Sequence, residues 1–484
     1  MTTTARTVAG ATELLVGGQW RAASDGSRFD VSDPADAEVI ASVASASVED
    51  AEDAVRTAAG ALADWAATPP RARSEVLHRA FELMTGRQGE LALLVSRENG
   101  KALHDARAEI TYAAEFLRWY AEEAVRTDGS VQTAPGGANR IVVLRRAIGV
   151  AVLVTPWNFP AAMATRKIAP ALAAGCSVVL KPASDTPLTA LALGALLAEA
   201  GTPPGVVNVL PAHRSAPAVS AMLAMPQVRK LSFTGSTEVG KNLLRSAADQ
   251  VLNCSMELGG NAPFVVLAGA NIHSAVDGAM IAKMRNGGEA CTAANRFIVH
   301  ESLADAFAQR LAERMADLTM GPGAEESTEL GPLITDAAVQ EVDQLVRGAV
   351  ADGAVVLTGG SPTGGVGHFY PPTVLDQVPP AARILREEIF GPVAPIVRFS
   401  DVDEAVSIAN DTEYGLAAYL YAGDLSEGLR AAERLEAGIV GLNRGVVSDP
   451  AAPFGGVKQS GVGREGGHEG LLEYIEEQYI AVDW

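Results

Sequence analysis

From Ala147 onward the chain alternates short runs of β-branched residues with Ala/Leu-rich stretches in which apolar positions recur every three to four residues. AIGVAVLV precedes 160–174, SVVLK precedes 188–200, GVVNVL precedes 216–225 and RKLSF precedes 238–248. Continuous apolar strands, each followed by a helical period, predict βα units on a mainly parallel sheet. A second alternating region starts at APFVVL, with helices predicted near 272–285 and 303–318 and strands at RFIVH, 393–399, 417–421 and 438–442. Ahead of both, 48–67, 71–100 and 105–126 predict three helices packed around the first sheet. The segment 130–145 reads as an extended hairpin around Pro-Gly-Gly, and the tail LLEYIEEQYIAVDW ends in a strand-like stretch. Such strands pair inside the chain or with another subunit. No internal repeat is present.

A length of 484 residues, 48 % apolar and 20 % charged, gives ample material for a core and room for two large units or about three smaller ones. No apolar run approaches the roughly 18 residues of a membrane span, and MTTTARTVAG has no apolar h-region, so neither a span nor a secretory leader is expected. Three cysteines exclude a disulfide framework and point to a reducing compartment, the cytoplasm. A formal charge of −20 with no basic tract argues against nucleic acid or anionic membrane as partner. Seven histidines form no metal-binding motif, so no metal is expected.

Of the three cysteines, Cys176 in AAGCSVVL and Cys254 in VLNCSME adjoin strand-like apolar runs and read as core residues. Cys291 lies in RNGGEACTAANR, where glycines and small residues leave a thiol reachable. Glu257 in MELGGN suits a strand end facing a cleft, or a solvated turn. Asn158 in TPWNFP sits between stiffening prolines and suits an oxyanion donor, an Asx turn or a helix cap. In SFTGSTEVGK, Gly235, Ser236 and Gly240 fall between a strand and a helix start, where free N–H groups favour phosphate, and KPAS adds Lys181 after the strand VVL.

Together TPWNFP, KPAS, FTGSTEVGK, ELGGN, GEAC, EEIFGPV and PFGGVKQSGVGREG, in this order over nearly the whole chain, resemble the aldehyde dehydrogenase superfamily. The resemblance implies an α/β fold with a Rossmann-like dinucleotide-binding domain (1–127 and 147–256), an α/β catalytic domain (257–460) and a protruding β oligomerisation arm with tail (128–146 and 461–484), assembling as homodimer or homotetramer. It implies Cys291 as nucleophile, Glu257 as general base, Asn158 as oxyanion donor and Lys167 as a supporting lysine. Thr155, Pro156, Trp157, Lys181, Ser184, Gly235, Ser236, Glu388 and Phe390 would meet the cofactor. The implied chemistry is thiolate attack on an aldehyde, collapse of the tetrahedral alkoxide with loss of hydride to a nicotinamide, and hydrolysis of the thioester with Glu257 as base. The presence of this Glu favours hydrolysis over transfer to coenzyme A.

Relatives reading KPAE set a carboxylate beside the adenosine ribose; Ser184 removes it and leaves Lys181 for a 2′-phosphate, so NADP is the preferred cofactor expected, with NAD possible. Arg166 in ATRK and Arg285 in MRN suit a substrate with its own carboxylate, a pairing similar to that of succinate-semialdehyde dehydrogenases, with Ser448 and Phe454 completing the substrate pocket. Glutarate semialdehyde differs by one methylene and fits the same reading; a catalytically silent binding protein on this fold is the alternative of another class. Two departures stand out: Ala293 replaces a second loop cysteine, removing an intramolecular disulfide switch, and GEAC puts Glu289 beside the thiol, either raising its pKa or pointing away.

Overall fold

The computed structural model describes residues 12–483, so the reading of MTTTARTVAG lies outside the described residues. An eight-stranded sheet runs in the order Gly461–Val462, Asn253–Glu257, Val228–Thr234, Val150–Val154, Ser177–Lys181, Val207–Val209, Leu14–Val16, Gln19–Arg21. Its five central strands are parallel, and antiparallel strands close both edges. Along Val150–Val154 the side chains divide cleanly: Ala151 and Leu153 join the core under helices Pro70–Gly86, Leu103–Glu123 and Pro160–Ala174, while Val150, Val152 and Val154 face the helix Val48–Ala67. Burial on both faces is why these strands lack polar alternation.

From Val150–Val154 the chain crosses to Ser177–Lys181 and on to Val207–Val209, then returns to the other side of Val150–Val154 to form Val228–Thr234. The loops after Val154 and Thr234 therefore part at the carboxyl ends of adjacent strands, the place where such sheets open a crevice. A second, seven-stranded sheet, in the order Val355–Thr358, Thr373–Asp376, Val393–Phe399, Ala294–His300, Ala262–Val266, Ala417–Tyr421, Ile439–Leu442, supplies the opposite wall.

Several boundaries differ from the sequence expectation. The helix expected over 71–100 is two, Pro70–Gly86 and Gln88–Asn99, broken at Arg87 (φ −109°, ψ 17°), and the next helix is Leu103–Glu123 instead of 105–126. Gly240 lies inside the helix Thr237–Ala248, not ahead of it; a Cβ there would come within 2.4 Å of Leu258. The hairpin strands Ser130–Thr133 and Arg140–Ala147 pair within the chain, the second also along Ile475–Val482. Of the tail drawn from 461, residues 461–474 return to the first sheet: Gly461–Val462 pairs with Met256–Glu257, and Leu471 and Tyr474 enter its core. Only Ile475–Val482 joins the arm. Among the described residues, no helix is long and apolar enough to cross a membrane.

Candidate active site

A cavity of about 340 Å³ opens at the crevice, lined from the first domain by Pro156, Trp157, Asn158, Arg166, Gly235 and Ser236, and from the second by Arg285, Cys291, Glu388, Phe390, Ser448 and Phe454. Those twelve expected site residues converge on one space. Glu257, Lys167, Thr155, Lys181 and Ser184 do not line it.

The wall carrying Asn158 is stiffened by proline. Pro160 opens the helix Pro160–Ala174 at its first position, where no N–H is needed. Phe159 precedes it without a side-chain cap, and a distant carboxylate takes over: Glu109 Oε1 accepts from Ala161 N (2.8 Å) and Ala162 N (3.2 Å). Asn158 is thus neither a cap nor an Asx turn. Its Nδ2 donates to the Glu289 carbonyl at 3.0 Å, which leaves one amide hydrogen for the cavity.

Cys291 follows a turn that only small residues tolerate. Asn286, Gly287 and Gly288 all have positive φ (55°, 60° and 81°), and a Cβ on Gly288 would lie 2.2 Å from the Gly391 carbonyl. Burial pushes the Cys291 thiol up to about 12; Glu388 and Glu257 push the same way, while Arg166 and Arg285 oppose them. Glu289 is absent from that set. Its carboxyl turns away to accept from Ile334 N (3.1 Å), and burial holds it up at about 8. Cys176 and Cys254 sit elsewhere, their thiols donating to the carbonyls of Tyr474 and Leu252.

Glu257 ends the strand Asn253–Glu257 and is 2 % exposed, beside the lining residues Leu258 and Gly259. Neither carboxyl oxygen has a hydrogen-bond partner among the described residues. Burial drives its pKa well above the usual carboxylate range, Glu465 adds to the rise, and Lys167, Arg166 and Arg464 offset part of it. Lys167 Nζ donates to Ser232 Oγ (2.9 Å) and to the Glu465 carboxylate. Glu465 was invisible in sequence, where it reads as one acid in a glycine-rich loop.

Arg166 is 2 % exposed and held among rings, its guanidinium carbon 4.1 Å from the Phe454 centroid and 5.1 Å from that of Phe116. It donates to the Tyr112 hydroxyl, and its Nη1 lies 3.9 Å from Glu465 Oε2. Arg285 stacks 5.0 Å over Phe159. Tyr112, another lining residue, was also missed by sequence reading. Neither arginine is a surface residue spent on an ion pair among the described residues: Arg166 is buried and both open onto the cavity.

At the other end, Trp157 and Phe390 meet edge-on at 5.4 Å, Glu388 Oε1 accepts from Gly260 N (3.0 Å), and burial raises its carboxyl to about 7. Ser236 caps the helix Thr237–Ala248. Thr234 Oγ1 is buried without a hydrogen-bond partner among the described residues, and Thr234 lines the cavity. Lys181 ends its strand in register with Val154; burial lowers its pKa to about 8, which Asp185 partly opposes.

The sequence profile of the aldehyde dehydrogenase family matches residues 20–480. The chain is 53 % identical to a succinate-semialdehyde dehydrogenase of Paenarthrobacter nicotinovorans, over 92 % of this chain and 99 % of that one. It is 47 % identical to a glutarate-semialdehyde dehydrogenase of Pseudomonas putida, over 97 % of each. The fold superposes on the crystal structure of an Escherichia coli NADP-dependent enzyme with a TM-score of 0.96, at 44 % identity and 98 % coverage of both chains.

Proposed function

Because the chain belongs to the aldehyde dehydrogenase family, we propose that it oxidises a short ω-carboxyl aldehyde, succinate semialdehyde, to the dicarboxylate with a nicotinamide dinucleotide as electron acceptor. The observation that carries the substrate is the pair Arg166 and Arg285 on the same cavity as Cys291. Two guanidinium groups lining one pocket are poorly suited to an apolar aldehyde and well suited to a carboxylate. The cationic end also lowers the thiol's proton affinity.

In this reading the Cys291 thiol releases its proton to solvent, the thiolate Sγ bonds to the aldehyde carbon and the carbonyl oxygen becomes an alkoxide. The free hydrogen of Asn158 Nδ2 and the Cys291 backbone N–H donate to that oxygen. A bound dinucleotide supplies the two-electron acceptor. As the alkoxide collapses, the aldehyde C–H bond breaks and its hydrogen leaves with the electron pair, so the acyl group remains on Sγ as a thioester, which cannot leave without a nucleophile. Glu257 takes a proton from water as the water oxygen bonds to the acyl carbon, and the C–S bond breaks to release the Cys291 thiolate. Lys167 and Glu465, paired with each other, act on Glu257 through charge: Glu465 raises its proton affinity and Lys167 lowers it.

The residues fit a dinucleotide. The cavity carries an unpartnered Thr234 hydroxyl, a helix N-terminus at Ser236 and an aromatic pair at Trp157 and Phe390. Preference for NADP rests on Ser184, which removes a carboxylate's repulsion, and on Lys181, a buried cation whose charged form a neighbouring 2′-phosphate would stabilise. The expected result is a higher kcat/KM with NADP than with NAD, reversed by Ser184→Glu; a higher wild-type value with NAD would refute it. The same proposal places the enzyme in the cytoplasm as a homodimer or homotetramer joined through the arm, whose strand Ser130–Thr133 is exposed along its length.

The substrate reading is tested by charge. Charge-assisted hydrogen bonds contribute roughly 1.5–3 kcal/mol each. Arg166→Ala and Arg285→Ala should therefore each lower kcat/KM for succinate semialdehyde about ten- to a hundredfold more than for butanal, which shares only the loss from the thiol's raised proton affinity. Equal losses on both aldehydes would sink it. Glutarate semialdehyde would use the same two arginines, and the Pseudomonas putida relative bears that name; comparing the two semialdehydes on the wild type ranks them.

A further inference from the structure

Behind the wall that carries Asn158 lies a buried polar cluster that no step above uses. Lys101, its side chain 1 % exposed, follows the turn between helices Gln88–Asn99 and Leu103–Glu123. Its Nζ donates to Glu109 Oε2 (2.6 Å) and to the backbone carbonyl of Asn158 (2.7 Å), and lies 4.3 Å from the Phe159 ring centroid. Glu109 spends its other oxygen on Ala161 N and Ala162 N. The ion pair thus grips the 158–162 turn on both sides. From the opposite domain, Asn286 Nδ2 donates to the same Asn158 carbonyl (3.1 Å) and to the Glu289 carbonyl (2.9 Å), the acceptor of the Asn158 side chain.

A side-chain amide has one soft torsion beyond its Cα–Cβ bond, so its direction is set by what holds its backbone and its acceptor. Here both are held by the same few groups. The Asn158 carbonyl takes two donors, and the Glu289 carbonyl, two residues before Cys291, takes the two amides. We infer that Lys101 and Asn286 are positioning residues for the reaction, fixing the free Asn158 N–H against the Cys291 loop, with Glu109 as the anchor of Lys101. The inference rests on the reading of Asn158 as the oxyanion donor. A displacement of about 1 Å at such a donor is enough to lose about a hundredfold in rate.

The test is a set of double-mutant cycles on kcat with succinate semialdehyde and NADP. Lys101→Met and Asn286→Ala should each lower kcat about ten- to a hundredfold with KM changed less than about threefold, and neither should lower it further in an Asn158→Ala background. Lys101→Met leaves Glu109 buried and unpaired and threatens folding. In Lys101→Met/Glu109→Gln that charge is gone and the new side-chain amide oxygen still accepts from Ala161 N, so thermal stability should return while kcat stays low. A purely structural pair would recover both together. Losses in kcat that add fully to that of Asn158→Ala, or wild-type kcat in the stable double variant and in Asn286→Ala, would overturn the inference alone. Wild-type kcat in Asn158→Ala itself would overturn the oxyanion reading and this inference with it.

Discussion

Cys291→Ala is expected to lower turnover on the order of 10⁴-fold or more while leaving the fold and dinucleotide binding intact. Among the described residues no other thiol opens on the cavity: Cys176 is buried and Cys254 lies on the strand Asn253–Glu257, its thiol on the Leu252 carbonyl. Removing Sγ removes the atom that becomes acylated, and no neighbouring group can substitute. Cys291→Ser keeps the shape and still fails, because a hydroxyl in this buried, partly acid-lined setting is harder to deprotonate than a thiol already pushed up to about 12. Absorbance of the reduced nicotinamide gives the rate, and fluorescence quenching by the dinucleotide reports binding. Turnover in Cys291→Ser within tenfold of wild type would remove the nucleophile assigned above.

What the sequence disclosed and what it withheld divide along physical lines. Strands such as Val150–Val154, Ser177–Lys181 and Val393–Phe399 were legible because both of their faces are buried, so their central positions form apolar runs without polar alternation. The break at Arg87 was not, since Leu83, Met84, Leu91 and Val95 carry the helical period straight across it. Three-residue strands such as Leu14–Val16 are too short for any period, and the helix Asp336–Ala351, whose Ala338, Val342 and Leu345 face the cavity, lies outside the motif order that drew attention.

The residues proposed as reactive drew attention because they stand in rigid loops with recognisable neighbours. Their supports were missed, since Lys101, Glu109, Asn286 and Glu465 read individually as solvated polar residues. One signal was available: Glu109 falls on the apolar face defined by Ala106, Ile110 and Ala113 of its helix, and a carboxylate there implies a buried partner. Glu98 is a second case, its carboxylate accepting from Leu188 N and Thr189 N at the start of Pro187–Glu199. No one-dimensional pattern says which partner, because pairing is decided by which helices pack together.

Glu257→Gln should divide the reaction in two. The first half, acylation of Cys291, needs no water and should survive; the second needs a base and should slow by about 10²- to 10⁴-fold. Rapid mixing with succinate semialdehyde and dinucleotide is then expected to give one burst of reduced nicotinamide, equal to the enzyme sites, followed by a slow steady state. Intact-mass spectrometry should find the acyl group on Cys291. The sign of the pH dependence follows from the environment: burial and Glu465 raise the Glu257 pKa, so the carboxyl holds its proton on the acid side and acts as base only above that raised value. Wild-type deacylation should fall as pH falls through it, and Glu257→Gln should lose that limb. Glutamine preserves the volume and places no new charge beside Lys167 and Glu465, so the change reports the proton acceptor and not the packing. A variant with no burst would mean that Glu257 is required to form the thioester, and one with undiminished steady turnover would return the role of base to another group.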